Sequence, residues 1–141
     1  MSLDRAVAAL GLGIATALGA AIFAGAVART HEPLVIDVTI HYSRFEPTAI
    51  IVPAGRPVTF VIRNTDPIDH EWIVGDEALH ARHRTGTEPV HDARPTEVSI
   101  GPLTERRTTV TFAQPGTLTF ICHLPGHEAY GMKGTLTITG G

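Results

Sequence analysis

The chain has 141 residues, a formal net charge of −3 and a single cysteine. One cysteine excludes an internal disulfide and cysteine-rich zinc or iron–sulfur sites. The weak negative charge lacks the basic footprint that nucleic-acid binding requires, so we expect no nucleic-acid partner. Two further counts bear on function, because histidine occurs eight times and methionine only at positions 1 and 132.

An uncharged run of 23 residues occupies positions 6–28. As a helix it would reach about 34 Å, which is long enough to cross a bilayer. It also resembles a secretory signal peptide, because Arg5 precedes it and Ala26-Val27-Ala28 forms a small-residue cleavage site. We predict an N-terminal hydrophobic helix in residues 1–30, either a cleaved signal or a membrane anchor. The folded domain, residues 31–141, is then periplasmic or extracellular.

Beyond the N-terminal run, apolar and polar residues alternate in short stretches that are typical of β-strands. The clearest stretches are 34–40, 58–63, 109–112 and 135–139. Turn sequences such as Pro53-Ala54-Gly55 separate them. The pattern predicts an all-β sandwich of six to eight short strands. One long interruption, residues 75–95, could contain a short helix at Asp76–His83, and loops of this length are usually functional or mobile.

The most informative residues lie between the last two predicted strands. Cys122, His127 and Met132 are separated by four residues each, and a loop at that place can turn a thiolate, an imidazole and a thioether towards one point. Soft sulfur ligands with imidazole select copper, and two histidines and a cysteine with a weak axial methionine describe an electron-transfer site. The second imidazole is expected from His70, which follows a turn and opens a strand.

These features resemble the cupredoxins, the family of small blue-copper proteins. The resemblance covers residues 34–140 and is carried, in order, by residues 45–55, the strand 58–64, His70 and the loop 122–132. The loop spacing is most similar to that of the rusticyanin-like branch, and the plastocyanin-like branch has a shorter cysteine–histidine gap. The resemblance implies a cupredoxin-like Greek-key β-sandwich with one type 1 copper ion per chain. His70, Cys122 and His127 would be its equatorial ligands and Met132 its axial ligand.

The resemblance also implies a function. We expect a monomeric protein, not an enzyme, that carries single electrons between redox partner proteins outside the cytoplasm. The alternative is a copper-binding carrier or copper-resistance protein, which the histidines of residues 75–95 favour. A third alternative is a metal-free adhesion-type sandwich, but the occurrence of suitable residues at all four ligand positions would then be a coincidence. A Cys122–His127 nucleophile pair lacks an apparent orienting acid or oxyanion donor, so we predict no catalytic residues.

The sequence departs from the family pattern next to the first ligand. The position after this histidine is commonly Asn or Ser, which helps to hold the thiolate by a hydrogen bond, whereas this chain has Glu71. The surroundings of the ligands and the reduction potential therefore differ from the pattern in a way that the sequence does not specify.

The remaining histidines are expected to be structural or exposed to solvent. His123 must point away from the metal if Cys122 points towards it, because neighbours on an extended chain alternate faces. His80, His83 and His91 are expected to be solvated loop residues that bind metal adventitiously at most. A docking patch is expected around His127, formed by the apolar neighbours Leu124, Pro125 and Tyr130.

Overall fold

The computed structural model describes residues 32–86, 91 and 94–140, and these form a two-layered β-sandwich with one short helix. The first half of the domain contains β1 (Leu34–His41), β2 (Arg44–Glu46), β3 (Ala49–Pro53), β4 (Pro57–Asn64) and β5 (His70–Gly75). The second half contains α1 (Glu77–Thr85), β6 (Glu97–Ile100), β7 (Glu105–Thr111), β8 (Gly116–Ile121) and β9 (Lys133–Thr139).

The strands form two sheets that face each other. One sheet has the order β2-β1-β4-β7, and the other has the order β3-β9-β8-β5-β6. Strands β1 and β4 pair in parallel, as do β3 and β9, and the other pairs are antiparallel. This architecture confirms the predicted cupredoxin-like sandwich. The described residues contain nine strands rather than six to eight, because β2 and β6 have only three and four residues and are too short to show alternation.

The core lies between the two sheets and is built from alternating strand residues. In β1, for example, Val38 and Ile40 are fully buried while the residues on either side of each are not. Three aromatic side chains form its centre: Phe60 packs against Trp72 at a ring distance of 4.5 Å, and Trp72 lies 6.2 Å from Phe120. Burying a large apolar side chain contributes about 1.5–3 kcal/mol, so this cluster fixes the two sheets relative to each other.

Strand β5 differs from the other strands because all six of its residues are buried. It lies inside its sheet between β8 and β6, and α1 covers its outer side. The helix begins after Asp76, whose carboxylate accepts a hydrogen bond from the Leu79 amide at 2.9 Å. Gly75 permits the close approach, since a β-carbon there would lie 2.2 Å from a Leu79 methyl group. The helix predicted at Asp76–His83 is thus confirmed, with Glu77–Thr85 as its bounds.

The predicted N-terminal helix, residues 1–30, lies outside the described residues. Within the part of the chain that the structure describes, no helix has both the length and the apolar character needed to cross a bilayer.

Candidate metal centre

The sheet register brings the ends of three strands to one place. In the antiparallel pairs, Ile73 of β5 faces Ile121 of β8, and Ile121 faces Lys133 of β9. His70 at the start of β5, Cys122 just after β8 and Met132 just before β9 therefore share one end of the sheet. The Cys122 amide donates to the Met132 carbonyl at 3.2 Å, which closes the base of the intervening loop.

Three of the predicted ligands converge with their donor atoms facing one another. The Nδ1 atoms of His70 and His127 are 3.3 Å apart, and the Cys122 Sγ lies 3.2 Å from the His127 Nδ1. One donor atom from each residue lies within 4.8 Å of the other two. His70 and Cys122 are buried and His127 is partly exposed, so the site has a closed inner side and an outer side formed by His127.

Met132 lies at the base of the same loop and is completely buried. Its amide donates to the His127 carbonyl at 3.0 Å, and its carbonyl accepts from the Cys122 amide. These two hydrogen bonds tie Met132 directly to both neighbouring ligands in the loop.

The loop between Cys122 and Met132 is shaped by its own backbone. The His127 amide donates to the Leu124 carbonyl at 3.0 Å, and the Tyr130 amide donates to the Gly126 carbonyl at 3.0 Å. Gly126 and Gly131 have φ angles of +86° and +90°, a region that favours glycine. Local turns thus fix the position of His127 in the loop.

Asp66 orients His70 from the side opposite the other ligands. Its Oδ2 lies 3.0 Å from the Nε2 of His70, so the N–H is on Nε2 and the lone pair on Nδ1 faces the site. Asp66 itself is held by the amides of Tyr42 and Ser43, each at 2.8 Å. Its burial acts to raise the pKa of this carboxyl, but these amides and His70 lower it overall. The sequence interpretation missed Asp66, although its position four residues before His70 was a usable signal.

The Cys122 thiol is held protonated until a metal displaces the proton. Burial raises the pKa of the Cys122 thiol from an ordinary value of 9.0 to about 11, although the Glu71 amide, which donates to Sγ at 3.3 Å, opposes this. Burial also lowers the pKa of both His70 and His127, and the neighbouring His70 contributes to the lowering at His127. The imidazoles are therefore neutral near pH 7, and metal binding releases a thiol proton.

Glu71 donates a backbone hydrogen bond to the Cys122 sulfur, and its carboxylate is directed away from the ligands. Its Oε1 lies 3.4 Å from the Nε2 of His91, and its Oε2 accepts from the His123 amide at 3.3 Å. The side chain of His123 points away from the ligands, as predicted, with its Nε2 2.9 Å from the Nδ1 of His80.

The expectation that the histidines of residues 75–95 are solvated is wrong. His80 is fully buried and His91 is 6% exposed. His80 lies on the buried side of α1, where its Nε2 donates to the Thr119 carbonyl at 3.3 Å. His83 and His91 lie together beside Glu97, with the two ring centroids 4.9 Å apart. The helix and the short strand β6 fold these residues against the sheet, which a spacing pattern does not reveal.

The donor set fits copper. Two neutral imidazoles, one thiol that becomes a thiolate and one buried thioether lie at one end of the sheet, and this combination of soft sulfur and imidazole selects copper over magnesium or calcium. His70, Cys122, His127 and Met132 would hold the ion. Because their positions are set by strand register and hydrogen bonds, little rearrangement is needed to accept it.

The class of protein follows from this fold and site together with a family comparison. The family model of the cupredoxin-like domain matches residues 13–138 of this chain. The chain therefore belongs to the cupredoxin-like family.

Individual relatives fall into two groups. The chain is 30% identical over 135 residues to the copper-resistant cuproprotein CopI of Pseudomonas aeruginosa, covering 73% of this chain and 75% of that protein. It is 32% identical over 110 residues to auracyanin-B of Chloroflexus aurantiacus, covering 67% of this chain and 47% of that protein.

Solved structures match the same part of the chain. Reduced auracyanin from Roseiflexus castenholzii has a TM-score of 0.64 at 25% identity, over 77% of this chain and 99% of that one. Reduced rusticyanin has a TM-score of 0.51 at 21% identity, over 77% of this chain and 82% of that one, and this likeness concerns the fold alone.

Proposed function

We propose that this chain binds one copper ion as a type 1 site and carries single electrons between redox proteins outside the cytoplasm. The observation that carries the proposal is the convergence of His70, Cys122 and His127, whose donor atoms lie within 4.8 Å of one another beside the buried Met132. A bound copper ion supplies a reversible one-electron couple between Cu(I) and Cu(II).

The protein supports this role by holding the ligands still. Electron transfer is fast when little reorganisation accompanies the change of charge, so the ligands must keep their places in both oxidation states. His70 is fixed by Asp66, and the Cys122 sulfur accepts from the Glu71 amide. Both anchors belong to the packed sandwich, and packed interiors resist displacement.

His127 is suited to be the point of electron entry and exit. It is the partly exposed member of the set, and the exposed Pro125 and Tyr130 lie beside it in the chain with the half-buried Leu124. A partly apolar surface of this kind accommodates a transient redox partner without a large interface. We expect a monomer in solution, with export directed by the apolar run 6–28.

Copper resistance is the second candidate, and a specific observation favours it. Three relatives, from Pseudomonas aeruginosa, Rubrivivax gelatinosus and Vibrio cholerae, carry the name copper-resistant cuproprotein CopI at 30–32% identity. In that role the same ligands would bind copper in order to sequester or hand over the ion.

Colour and copper retention separate the two candidates. The purified full chain should take up Cu(II) and show an intense visible thiolate-to-copper absorption, which Cys122→Ser should abolish while the far-ultraviolet circular dichroism stays unchanged. Colour that survives in Cys122→Ser would contradict a thiolate–copper site.

Repeated cycles of chemical reduction and reoxidation in the presence of an apo copper acceptor provide the second measurement. An electron carrier keeps its copper and recovers its colour in each cycle. Loss of the copper to the acceptor on reduction would favour the resistance role.

A further inference from the structure

A second group of metal-ligating side chains lies on the other side of Glu71. His83 of α1, His91 and Glu97 of β6 each offer one donor atom, and these atoms lie within 4.8 Å of one another. The side chains of His83, His91 and Glu97 are 10%, 5% and 6% exposed. They line a cleft of about 750 Å³ that opens to solvent, so an ion can reach them.

The distances suit a single ion. The Glu97 Oε2 lies 3.3 Å from the Nε2 of His83 and 3.9 Å from the Nδ1 of His91. Nitrogen and oxygen donors that surround one transition-metal ion at about 2.1 Å are themselves about 3–4 Å apart. A small closure of the side chains would therefore complete the coordination of three donors.

The second nitrogen of each ring already has the partner that metal-binding histidines use. The Nδ1 of His83 donates to the Leu79 carbonyl at 3.0 Å, which leaves Nε2 as the ring nitrogen directed at Glu97. The Nε2 of His91 lies 3.4 Å from the Glu71 Oε1, which leaves Nδ1 on the side of Glu97. A carbonyl or carboxylate behind a ligating imidazole fixes its tautomer and strengthens it as a ligand.

The backbone holds His91 in place independently of any ion. Its amide donates to the Ser99 hydroxyl at 2.8 Å, and its carbonyl accepts from the Ser99 amide at 3.1 Å. Arg94 occupies the other oxygen of Glu97, with its Nη1 2.8 Å from Oε1. Oε2 thus remains directed at the two imidazoles, while the positive charge of Arg94 makes the site weaker than a thiolate site.

We propose that His83, His91 and Glu97 form a second metal site, for a divalent transition ion with Cu(II) preferred. Imidazole nitrogen with one carboxylate oxygen suits Cu(II) and Zn(II), and the Irving–Williams order places Cu(II) first among the divalent ions. The site lacks sulfur and so binds Cu(II) without the thiolate colour. It is distinct from the proposed type 1 site and does not depend on it.

Copper counting on the full chain tests the proposal. The wild type, Glu97→Gln and His83→Gln are loaded with excess Cu(II), passed through gel filtration in a weak competing chelator and analysed for metal. The wild type should retain a second equivalent of copper that both variants lose, while the Cys122-dependent visible band persists in all three. His41→Gln, which removes an exposed imidazole, should behave as the wild type does.

Several results would overturn the proposal. Equal copper content in all four proteins would mean that the three residues only tie α1 to β6 by ion pairs, and a lower melting temperature of Glu97→Gln with unchanged copper would lead to the same conclusion. Loss of the same copper in His41→Gln would place it elsewhere on the surface. Retention of Zn(II) in preference to Cu(II) would overturn the choice of metal.

A second measurement covers the case in which the visible band is absent or a variant folds poorly. In a Cys122→Ser, His127→Gln background the first site lacks its thiolate and one imidazole, and Cu(II) should still raise the melting temperature, since an ion that binds only the folded state stabilises it. Adding Glu97→Gln should remove this increase. An increase that persists in the combined variant would contradict the proposal.

Discussion

The loop between β8 and β9 and the segment from α1 to β6 each bring a group of metal-ligating side chains together. They differ in where along the chain these side chains come from. Each brings two imidazoles and one acidic side chain, a thiol or a carboxylic acid, within 4.8 Å. The loop takes Cys122 and His127 from eleven consecutive residues and adds only His70 from outside. The segment collects His83, His91 and Glu97 from a helix, a connection and a strand.

The difference in donor chemistry matches the difference in construction. The loop presents sulfur in a buried site with preset geometry, which favours a tightly held copper ion and electron transfer. The segment presents a carboxylate on the wall of an open cleft, next to the positive charge of Arg94. We therefore expect a strong site and a weaker one in the same small domain, with Glu71 in contact with both.

The largest effect should come from loosening the first site through Asp66. In Asp66→Asn the side chain keeps one carbonyl oxygen but loses the charged acceptor that orients His70. Replacing the partner of a ligating histidine typically costs 10–100-fold in metal affinity, so we expect a loss of about that size. Competition with a chelator of known affinity, followed by the visible band, measures it.

Asp69→Asn provides a matched control for this change, because Asp69 is exposed and its replacement removes the same charge close to the same histidine. An equal loss of affinity in both variants would show that charge alone matters, and it would contradict the orienting role of Asp66.

The second effect concerns Glu71, the residue shared by the two groups. Glu71→Ala keeps the amide that donates to the Cys122 sulfur but removes the carboxylate next to His91. The affinity of the second site should fall by about tenfold, the low end of the usual cost of losing such a partner, while the visible band stays unchanged. Glu71→Gln retains an acceptor for His91 and should lose less. A bleached band in Glu71→Ala would mean that the carboxylate supports the first site instead.

The contrast between the two regions also marks what the sequence could predict. Cys122, His127 and Met132 are close in sequence, so their spacing pointed to one loop, and His70 was inferred from its place after a turn and at the start of a strand. Asp66 was not recognised although it precedes His70 by only four residues, and Glu97 was not recognised because it acts through contacts that only the folded sheets create. Glu97 stands opposite Ile73 in the β5–β6 pair, and a strand of four residues gives no periodic signal that could place it there.

The region of α1 shows the same limit on what the sequence predicts. The short helix expected at Asp76–His83 is present, and the cap that Asp76 provides at its start is a local interaction. The burial of His80 was not predicted, since it depends on α1 packing on β5 and on the Thr119 carbonyl of β8. The sequence therefore indicated the helix itself but not the contacts that the helix makes with the sheet.

Replacing Met132 should change the reduction potential of the first site without loss of the copper ion. Met132→Leu should keep copper bound by the other three ligands and raise the reduction potential, because a thioether donates electron density that favours Cu(II) and a leucine does not. The residue is fully buried, and leucine is close to it in volume, so the fold should tolerate the change. Cyclic voltammetry measures the shift. A potential equal to that of the wild type would mean that Met132 is not an axial ligand.

The smallest expected effect is that of pH on the free energy of unfolding. It involves His80, a buried imidazole that belongs to neither group of metal-ligating side chains. Burial lowers the pKa of His80 below its ordinary value of 6.5, so the unfolded chain takes up a proton at this residue before the folded chain does. The free energy of unfolding of the metal-free protein should therefore decrease as the pH falls through 6.5 and below. His80→Gln should flatten this decrease between pH 7.5 and 5, as urea denaturation at each pH would show, whereas His41→Gln should leave it unchanged. Equal slopes in the wild type and His80→Gln would assign the acid sensitivity to other groups, such as the neighbouring His123, whose pKa burial lowers to about 4.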